Sequence, residues 1–503
     1  MEFLSDLGMG FAVALTPTNV MYCFIGVLVG TLVGVLPGLG PIATVAILLP
    51  VTYYLPPVSS LIMLSGIYYG AQYGGSTTAI LVNLPGETSS VVTCLDGHQM
   101  ARRGRAGAAL AIAALASLFA GCVATLVLAL LSRPLASIAL SFGPWEYVAL
   151  MVLGLIAAVA LTDNNLIKSL GMVVLGLLLG TVGTDISGSA ERLTLGIPEL
   201  SDGIGFVPIA MGLLAVADII RNLEQPPASR EMVSAEIKNL WPSREDFRRS
   251  TGPTMRGTLV GTFLGILPGG GAALSSFSAY AIEKRIARDP SIFGQGAVEG
   301  VAAPEAANNA GAQTSFIPLL TLGIPSNAVM ALMAGAMTIQ GIQPGPQILS
   351  TRPELVWGLI ASMWLGNLLL VIINLPLIRL WVLLLRVPYR YLHLGVLAFC
   401  CIGVYVVNYS AFEVGLLLIF GLLGYFFLLF GCPPAPLLLS FILGPLLEDN
   451  FRRAMLIAGG DPAALFQRPI GVALFLLSFA ILAALTLPSL RRRREKALEG
   501  TDS

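Results

Sequence analysis

The sequence predicts an all-α polytopic membrane protein made of two inverted-topology repeats. Three observations carry that prediction. The chain has 503 residues, of which 56% are hydrophobic and only 11% charged, and its mean hydropathy is +0.83. Its apolar runs are long enough for about 10 to 12 membrane segments. Gly30-Thr-Leu-Val-Gly34-Val-Leu-Pro37-Gly38-Leu39-Gly40 returns 231 positions later as Gly261-Thr-Phe-Leu-Gly265-Ile-Leu-Pro268-Gly269-Gly270-Gly271. Proline removes a backbone donor and glycine frees the dihedrals, so each copy interrupts a helix where lipid cannot satisfy the exposed peptide groups. Such breaks survive only against protein or a polar cavity, and a pair of them in two halves points to a carrier's binding site. The third observation is the placement of charge.

No Lys or Arg precedes Arg102, after which Arg102, Arg103 and Arg105 arrive together. The positive-inside rule therefore puts residues 1–17 and 53–60 outside and 99–105 in the cytoplasm. Both flanks of 18–52 lie outside, and both flanks of 257–282 lie inside, the latter marked by Lys284, Arg285 and Arg288. Neither segment crosses an odd number of times, so each is expected to be a re-entrant or broken-helix hairpin with its Leu-Pro-Gly element near the tip.

A crossing at 61–98 and spans near 106–132, 145–161, 166–184 and 204–220 complete a first repeat, residues 1–220. Residues 221–256 form a cytoplasmic linker with seven Lys/Arg and five Asp/Glu. The second repeat, 257–447, adds a crossing at 300–338 and spans near 354–380, 391–407, 413–431 and 434–447. Residues 448–503 supply a loop, a further helix at 470–489 and the basic tail Arg491–Arg494. One feature resists. Arg452, Arg453 and Arg468 fall outside, so either 434–447 is not a full span or that loop breaks the rule.

The first segment is expected to stay in place, because no basic region of a cleavable signal precedes it. The formal net charge is zero, and no basic stripe suggests nucleic acid. Six cysteines without a C-x-x-C pair read as packing thiols.

Small and hydroxylic residues follow the first hairpin, from Tyr68 through Ser76, Thr77 and Thr78 to Asn83, with another break at Pro85-Gly86 before Glu87. After the second come Glu305, Asn308, Asn309, Gln313 and Thr314, then Leu322-Gly323-Ile-Pro325-Ser326-Asn327. Amides and hydroxyls supply donors and acceptors without net charge. A resuming helix offers free N–H groups suited to a carboxylate, and exposed carbonyls suit Na⁺.

Alternatives stand beside these readings. Gly-x3-Gly spacings serve close packing, and Ser76, Thr77 and Thr78 equally bond back to their own helix. Glu305 is the only charge between Gly300 and Gln340, which makes it a proton or cation site or an acid at a helix start. Glu87 and Asp96 are placed at the cytoplasmic mouth. Nothing assigns a ligand role to His98 or His393. The chain carries no G-x-S-x-G, H-E-x-x-H or phosphate-loop motif, which argues against an intramembrane enzyme or an ATP-driven pump; motifs leave a passive channel open.

With these residues assembled, the chain resembles the large membrane subunit of the tripartite tricarboxylate transporter family. The resemblance runs through Gly34–Pro41, Tyr69–Thr78, Asn83–Glu87, Leu95–Gly97, Gly265–Gly269, Glu299–Ala310 and Leu322–Pro325. It implies ion-coupled import of organic carboxylates across a bacterial inner membrane, with a small membrane subunit and a periplasmic solute-binding protein as partners. No cofactor is expected beyond Na⁺ or H⁺ as the coupling ion. Substrate contacts are expected from Pro37, Gly38, Leu39, Gly40, Ser76, Thr77, Thr78, Pro268, Gly269, Gly270 and Gly271. Asn83, Glu305, Asn308, Asn309 and Thr314 are expected to hold the coupling ion.

Overall fold

Proline opens seven of the helices, at Pro17, Pro41, Pro57, Pro144, Pro353, Pro434 and Pro469. There its missing N–H costs nothing and its φ is already helical. The computed structural model describes residues 2–36, 40–83, 85–160, 166–185, 190–224, 241–267, 271–378, 380–381 and 389–486. The first half contains α1 (Glu2–Ala14), α2 (Pro17–Gly34), α3 (Pro41–Thr52), α4 (Pro57–Val82), α5 (Ala106–Ala139), α6 (Pro144–Ala160) and α7 (Leu166–Gly180). Its last helix, α8, joins the stretches Phe206–Ala210, Met211–Val216 and Ala217–Glu224. The second half contains α9 (Arg244–Ile266), α10 (Gly271–Ile286), α11 (Glu299–Thr314), α12 (Phe316–Leu322), α13 (Ala328–Ile339) and α14 (Pro353–Asn374). It closes with α15 (Tyr389–Asn408), α16 (Ala411–Leu429), α17 (Pro434–Ile457) and α18 (Pro469–Thr486).

The protein is an all-α polytopic membrane protein. The strand ladder among the described residues is a two-residue pairing of Gly183–Thr184 with Glu191–Arg192. Four helices are long and apolar enough to cross a bilayer, Pro17–Gly34, Ala101–Ala139, Pro353–Asn374 and Ala411–Leu429, and several shorter apolar helices accompany them. All six cysteines are free thiols.

Glycine contacts set the helix directions. A Cβ on Gly26, Gly30 or Gly34 would come within 2.3 Å of the carbonyl oxygen of Met63, Ile67 or Ala71 respectively. The numbers ascend together, so α2 and α4 are parallel, and α3 between them must run back. The second half repeats this. Gly257, Gly261 and Gly265 press on the carbonyls of Ala303, Ala307 and Gly311, where a Cβ would stand 2.2, 2.3 and 2.4 Å away. Thus α9 and α11 are parallel too, and α10 returns. Each half therefore carries a hairpin packed along a long helix, with glycine where the backbones touch.

The halves are inverted relative to each other. Gln72 bonds Asn308 (3.2 Å) while Ser76 bonds Glu305 (2.7 Å), so α4 and α11 run antiparallel. Both long helices then break alike. Asn83 (φ 57°) ends α4 and Gly323 (φ 74°) ends α12, each in the left-handed region, with proline two residues later. The chain folds back so that Gly86 lies against Gly75, and Ser326 Oγ donates to the Ser315 carbonyl at 3.3 Å.

One group of basic residues collects at one end of the bundle. Arg105 pairs with Asp246 (2.5 Å), Arg249 with Glu299 (2.8 Å) and Arg256 with Glu283 (2.6 Å). Helix α9 begins at Arg244, inside the stretch read as linker. Beside these pairs, buried Asp96 Oδ1 accepts the N–H groups of Gly294 (2.9 Å), Gly296 (2.7 Å) and Ala297 (2.7 Å), and Tyr280 Oη donates to its Oδ2 (2.9 Å). This carboxylate ties the two halves together. At the opposite end Gln340 Nε2 donates to the Thr52 carbonyl (3.0 Å), and Arg452 meets Asp185 (2.8 Å) and Glu448 (2.7 Å). Helix α17 thus reaches the end opposite Arg102–Arg105, and its loop departs from the positive-inside pattern. Acids accompany that charge, including Asp449 on Arg453 at 2.8 Å.

Candidate functional site

The two hairpins and the two fold-backs converge on a cleft of ≈ 370 Å³. Its walls come from both repeats. The start of α3 (Gly40–Ala43), residues Tyr68 and Gln72 of α4, the fold-back Gly86–Ser89, and Asp218 of α8 line one part. The start of α10 (Gly271–Ala273) and the start of α13 (Asn327–Val329) line the other. Three helices of substantial length therefore present their N-termini to one space. The first N–H groups of a helix have no partner within it and carry about half a positive charge, so a carboxylate is the complementary ligand.

The side chains around the cleft are held from behind. Asn327 Oδ1 accepts the Met330 N–H (3.0 Å) and caps α13, while its Nδ2 is buried without a partner. Gln72 is wholly buried; its Nε2 donates to Asn308 Oδ1, and its Oε1 has no partner. Asn308 then turns its Nδ2 to Glu87 Oε1 at 3.1 Å. Among the described lining residues there is no Lys, Arg or His. Helix N-termini are thus the positive groups that face it, beside the acids Glu87 and Asp218.

Of the residues named from sequence, Gly40 and Gly271 line this cleft. Pro37, Gly38, Leu39, Pro268, Gly269 and Gly270 lie outside the described residues. Ser76 and Thr77 face a separate, small cavity of ≈ 20 Å³ that also includes Glu305 and Ser117. Thr77 and Thr78 bond back to the carbonyls of Tyr73 (3.0 Å) and Gly74 (3.1 Å), and Thr78 also reaches the Val35 carbonyl (2.9 Å). Glu305 is buried and accepts hydroxyls from Ser76 and Thr93. Asn309 Nδ2 donates to Ser117 Oγ (2.7 Å), leaving its Oδ1 buried and unpartnered. Thr314 donates to the Ala310 carbonyl (3.0 Å) beneath Gly265, and exposed Asn83 makes the left-handed turn. Glu305, Asn308 and Asn309 thus form a buried polar layer behind the cleft.

Sequence reasoning placed Glu87 at the cytoplasmic mouth; it lines the cleft beside Gly40 and Gly75. The left-handed turn at Asn83 is the cause, because it sends the chain back along α4. Gln72, Asn327 and Asp218 were also missed as lining residues. A signal existed for Glu87 and Asn327, since Val82-Asn-Leu-Pro-Gly-Glu87 and Leu322-Gly-Ile-Pro-Ser-Asn327 are the same break in two copies.

Opposed hairpins around a central cleft in an all-α membrane bundle define a transporter. Residues 20–439 match the tripartite tricarboxylate transporter TctA family, and the chain belongs to that family. A protein of Agrobacterium vitis described as an uncharacterized 52.8 kDa protein in the TAR-I ttuC' 3'region is 58% identical over 502 residues, covering 100% of both chains. A second from the same organism, described as an uncharacterized protein in the TAR-II ttuC' 3'region, is 52% identical over 242 residues, which is 48% of this chain and 100% of that one. No solved structure matches the chain.

Proposed function

We propose that this protein is the membrane-spanning large subunit of a three-part, ion-gradient-driven importer of organic carboxylates, and that the cleft between the hairpins is its substrate site. The observation that carries the reading is the convergence of the α3, α10 and α13 N-termini, from both repeats, on one space without a cationic side chain. Positive poles on opposed walls suit a ligand with two or more carboxylates. The N–H groups of Ile42 and Ala43 would take one, those of Ala272 and Ala273 another, and Asn327 Nδ2 is free to add a donor. Gln72 Oε1 is an acceptor for a substrate hydroxyl.

The basic end of the bundle faces the cytoplasm of a bacterial inner membrane, so the tail after α18 is cytoplasmic. A small membrane subunit and a periplasmic binding protein complete the assembly, the latter delivering substrate. Glu305, Asn308 and Asn309 supply polar ligands for ion coupling. The protein is a carrier and not an enzyme. The test is uptake of radiolabelled citrate, succinate and an aromatic acid into proteoliposomes holding this chain and its small partner, with and without binding protein, under an imposed Na⁺ or H⁺ gradient. Saturable, gradient-driven uptake that needs the binding protein is expected. Uptake that needs neither would make the protein a passive channel.

A further inference from the structure

We infer that Glu87 is the proton-carrying group of transport, and that a substrate carboxylate enters the cleft only when Glu87 holds a proton. This rests on the carboxylate-site reading above. The argument begins from the symmetry of the two breaks. In each repeat a left-handed turn and a proline lead to a residue at the cleft, and that residue is Asn327 in one and Glu87 in the other. Asn327 caps a helix of twelve residues and offers an amide donor. Glu87 puts a carboxylate of the protein's own in the matching place.

Its place in the repeated break, at the cleft, distinguishes Glu87 from the other acids. Asp96 receives three N–H groups and a phenol. Glu305 receives two hydroxyls and lies in the other cavity. Glu87 receives Asn308 Nδ2, with the Ser89 hydroxyl alongside. Around it stand Tyr68 and Gln72 from α4, Asn308 and, a turn away, Glu305 from α11, and Asp218 from α8 with Arg221 further along that helix. The cleft residues of α3, α10 and α13 bring no titratable side chain, and the neighbouring undescribed segments 37–39, 84 and 268–270 contain none in sequence. Ionised Glu87 therefore draws on the same backbone dipoles that the substrate needs, and repels it.

Protonation settles that competition. One proton from water adds to a Glu87 carboxylate oxygen, no other bond changes, and the neutral acid can keep the Asn308 contact through its carbonyl oxygen. Substrate carboxylate then has the helix N-termini to itself. By reciprocity, bound substrate raises the proton affinity of Glu87 by the factor by which the proton tightens substrate binding. Proton and carboxylate enter together.

The test uses the assembled transporter in proteoliposomes: apparent affinity is read from succinate exchange at about pH 7 to 9, where succinate itself is fully ionised, and proton movement from net uptake into succinate-free vesicles with a pH dye trapped inside. In the wild type the apparent affinity is highest at the acid end and falls up to tenfold per pH unit above the Glu87 titration, and net uptake carries in one proton per succinate. Glu87→Gln, the stand-in for the protonated form, is expected to flatten the pH profile and to abolish the proton influx. Glu87→Asp keeps the acid and shifts the midpoint. An unchanged profile in Glu87→Gln overturns the inference, as does a normally inserted Glu87→Gln protein with no exchange, or an unshifted midpoint in Glu87→Asp should the Gln variant not insert. Net wild-type uptake without proton influx removes the proton role but leaves the carboxylate site standing. If the wild type exchanges none of citrate, succinate and an aromatic acid, the site reading itself fails.

Discussion

Replacing Asp96 with alanine tests whether one buried carboxylate joins the two repeats. Four donors converge on it, the N–H groups of Gly294, Gly296 and Ala297 and the hydroxyl of Tyr280, all within 2.7 to 2.9 Å. Asp96→Ala leaves these buried donors without an acceptor. At about 1 to 3 kcal/mol for each unsatisfied group, the loss comes to about 4 to 12 kcal/mol. That is a large part of the roughly 5 to 15 kcal/mol that keeps a protein folded. Asp96→Asn keeps an acceptor oxygen and loses charge assistance, so about half that loss is expected. At roughly 1 °C per kcal/mol for a chain of 503 residues, the Tm of detergent-solubilised Asp96→Ala should fall by about 4 to 12 °C.

Gly300 provides an internal check. A Cβ there would stand 2.1 Å from Asp96 Oδ2, so Gly300→Ala strains the same contact. Adding Gly300→Ala to Asp96→Ala should then cost far less than it does alone, because the clashing oxygen is gone. The reasoning is refuted if Asp96→Ala melts within about 2 °C of the wild type, or if the two substitutions add.

Further outcomes follow from the same contacts. Gly261→Val drives a branched side chain into the Ala307 carbonyl, 2.3 Å from the new Cβ, and should cost at least about 3 kcal/mol and the monodisperse peak in size-exclusion chromatography. Gly171→Ala, with open space around it, should leave that peak intact. Asn327→Asp puts a second carboxylate at the cleft. At about 5 Å from a bound substrate carboxylate and an effective dielectric of about 20, it should weaken binding by about 3 kcal/mol, roughly a hundredfold by isothermal titration.

What was legible in the sequence was whatever leaves a local mark. A proline and two glycines inside an apolar run announce a broken helix, and their second copy announces the repeat. The absence of Lys and Arg before Arg102 orients the first hairpin. The site was less legible because its residues meet through turns that periodicity does not encode. Nothing along α4 says that the chain reverses after Asn83, and without that reversal Glu87 reads as part of a loop. The hydroxyls of Ser76, Thr77 and Thr78 drew attention by type. A helix can satisfy such groups through its own carbonyls, and Thr77 and Thr78 do this. The loop after α17 defeated the charge rule because Arg452 and Arg453 pair with Asp185, Glu448 and Asp449, one of them distant in sequence.

The most direct test asks whether substrate occupies the space between the hairpins. In a background with the six cysteines replaced, Ala43→Cys and Ala273→Cys place one thiol on each side of the cleft. The rate of labelling by a charged maleimide is then measured with and without citrate or succinate, with Gly171→Cys as a control outside the cleft. The account predicts that a transported carboxylate slows labelling at both cleft positions and leaves the control unchanged. A transported carboxylate that protects neither thiol would contradict the placement of the site.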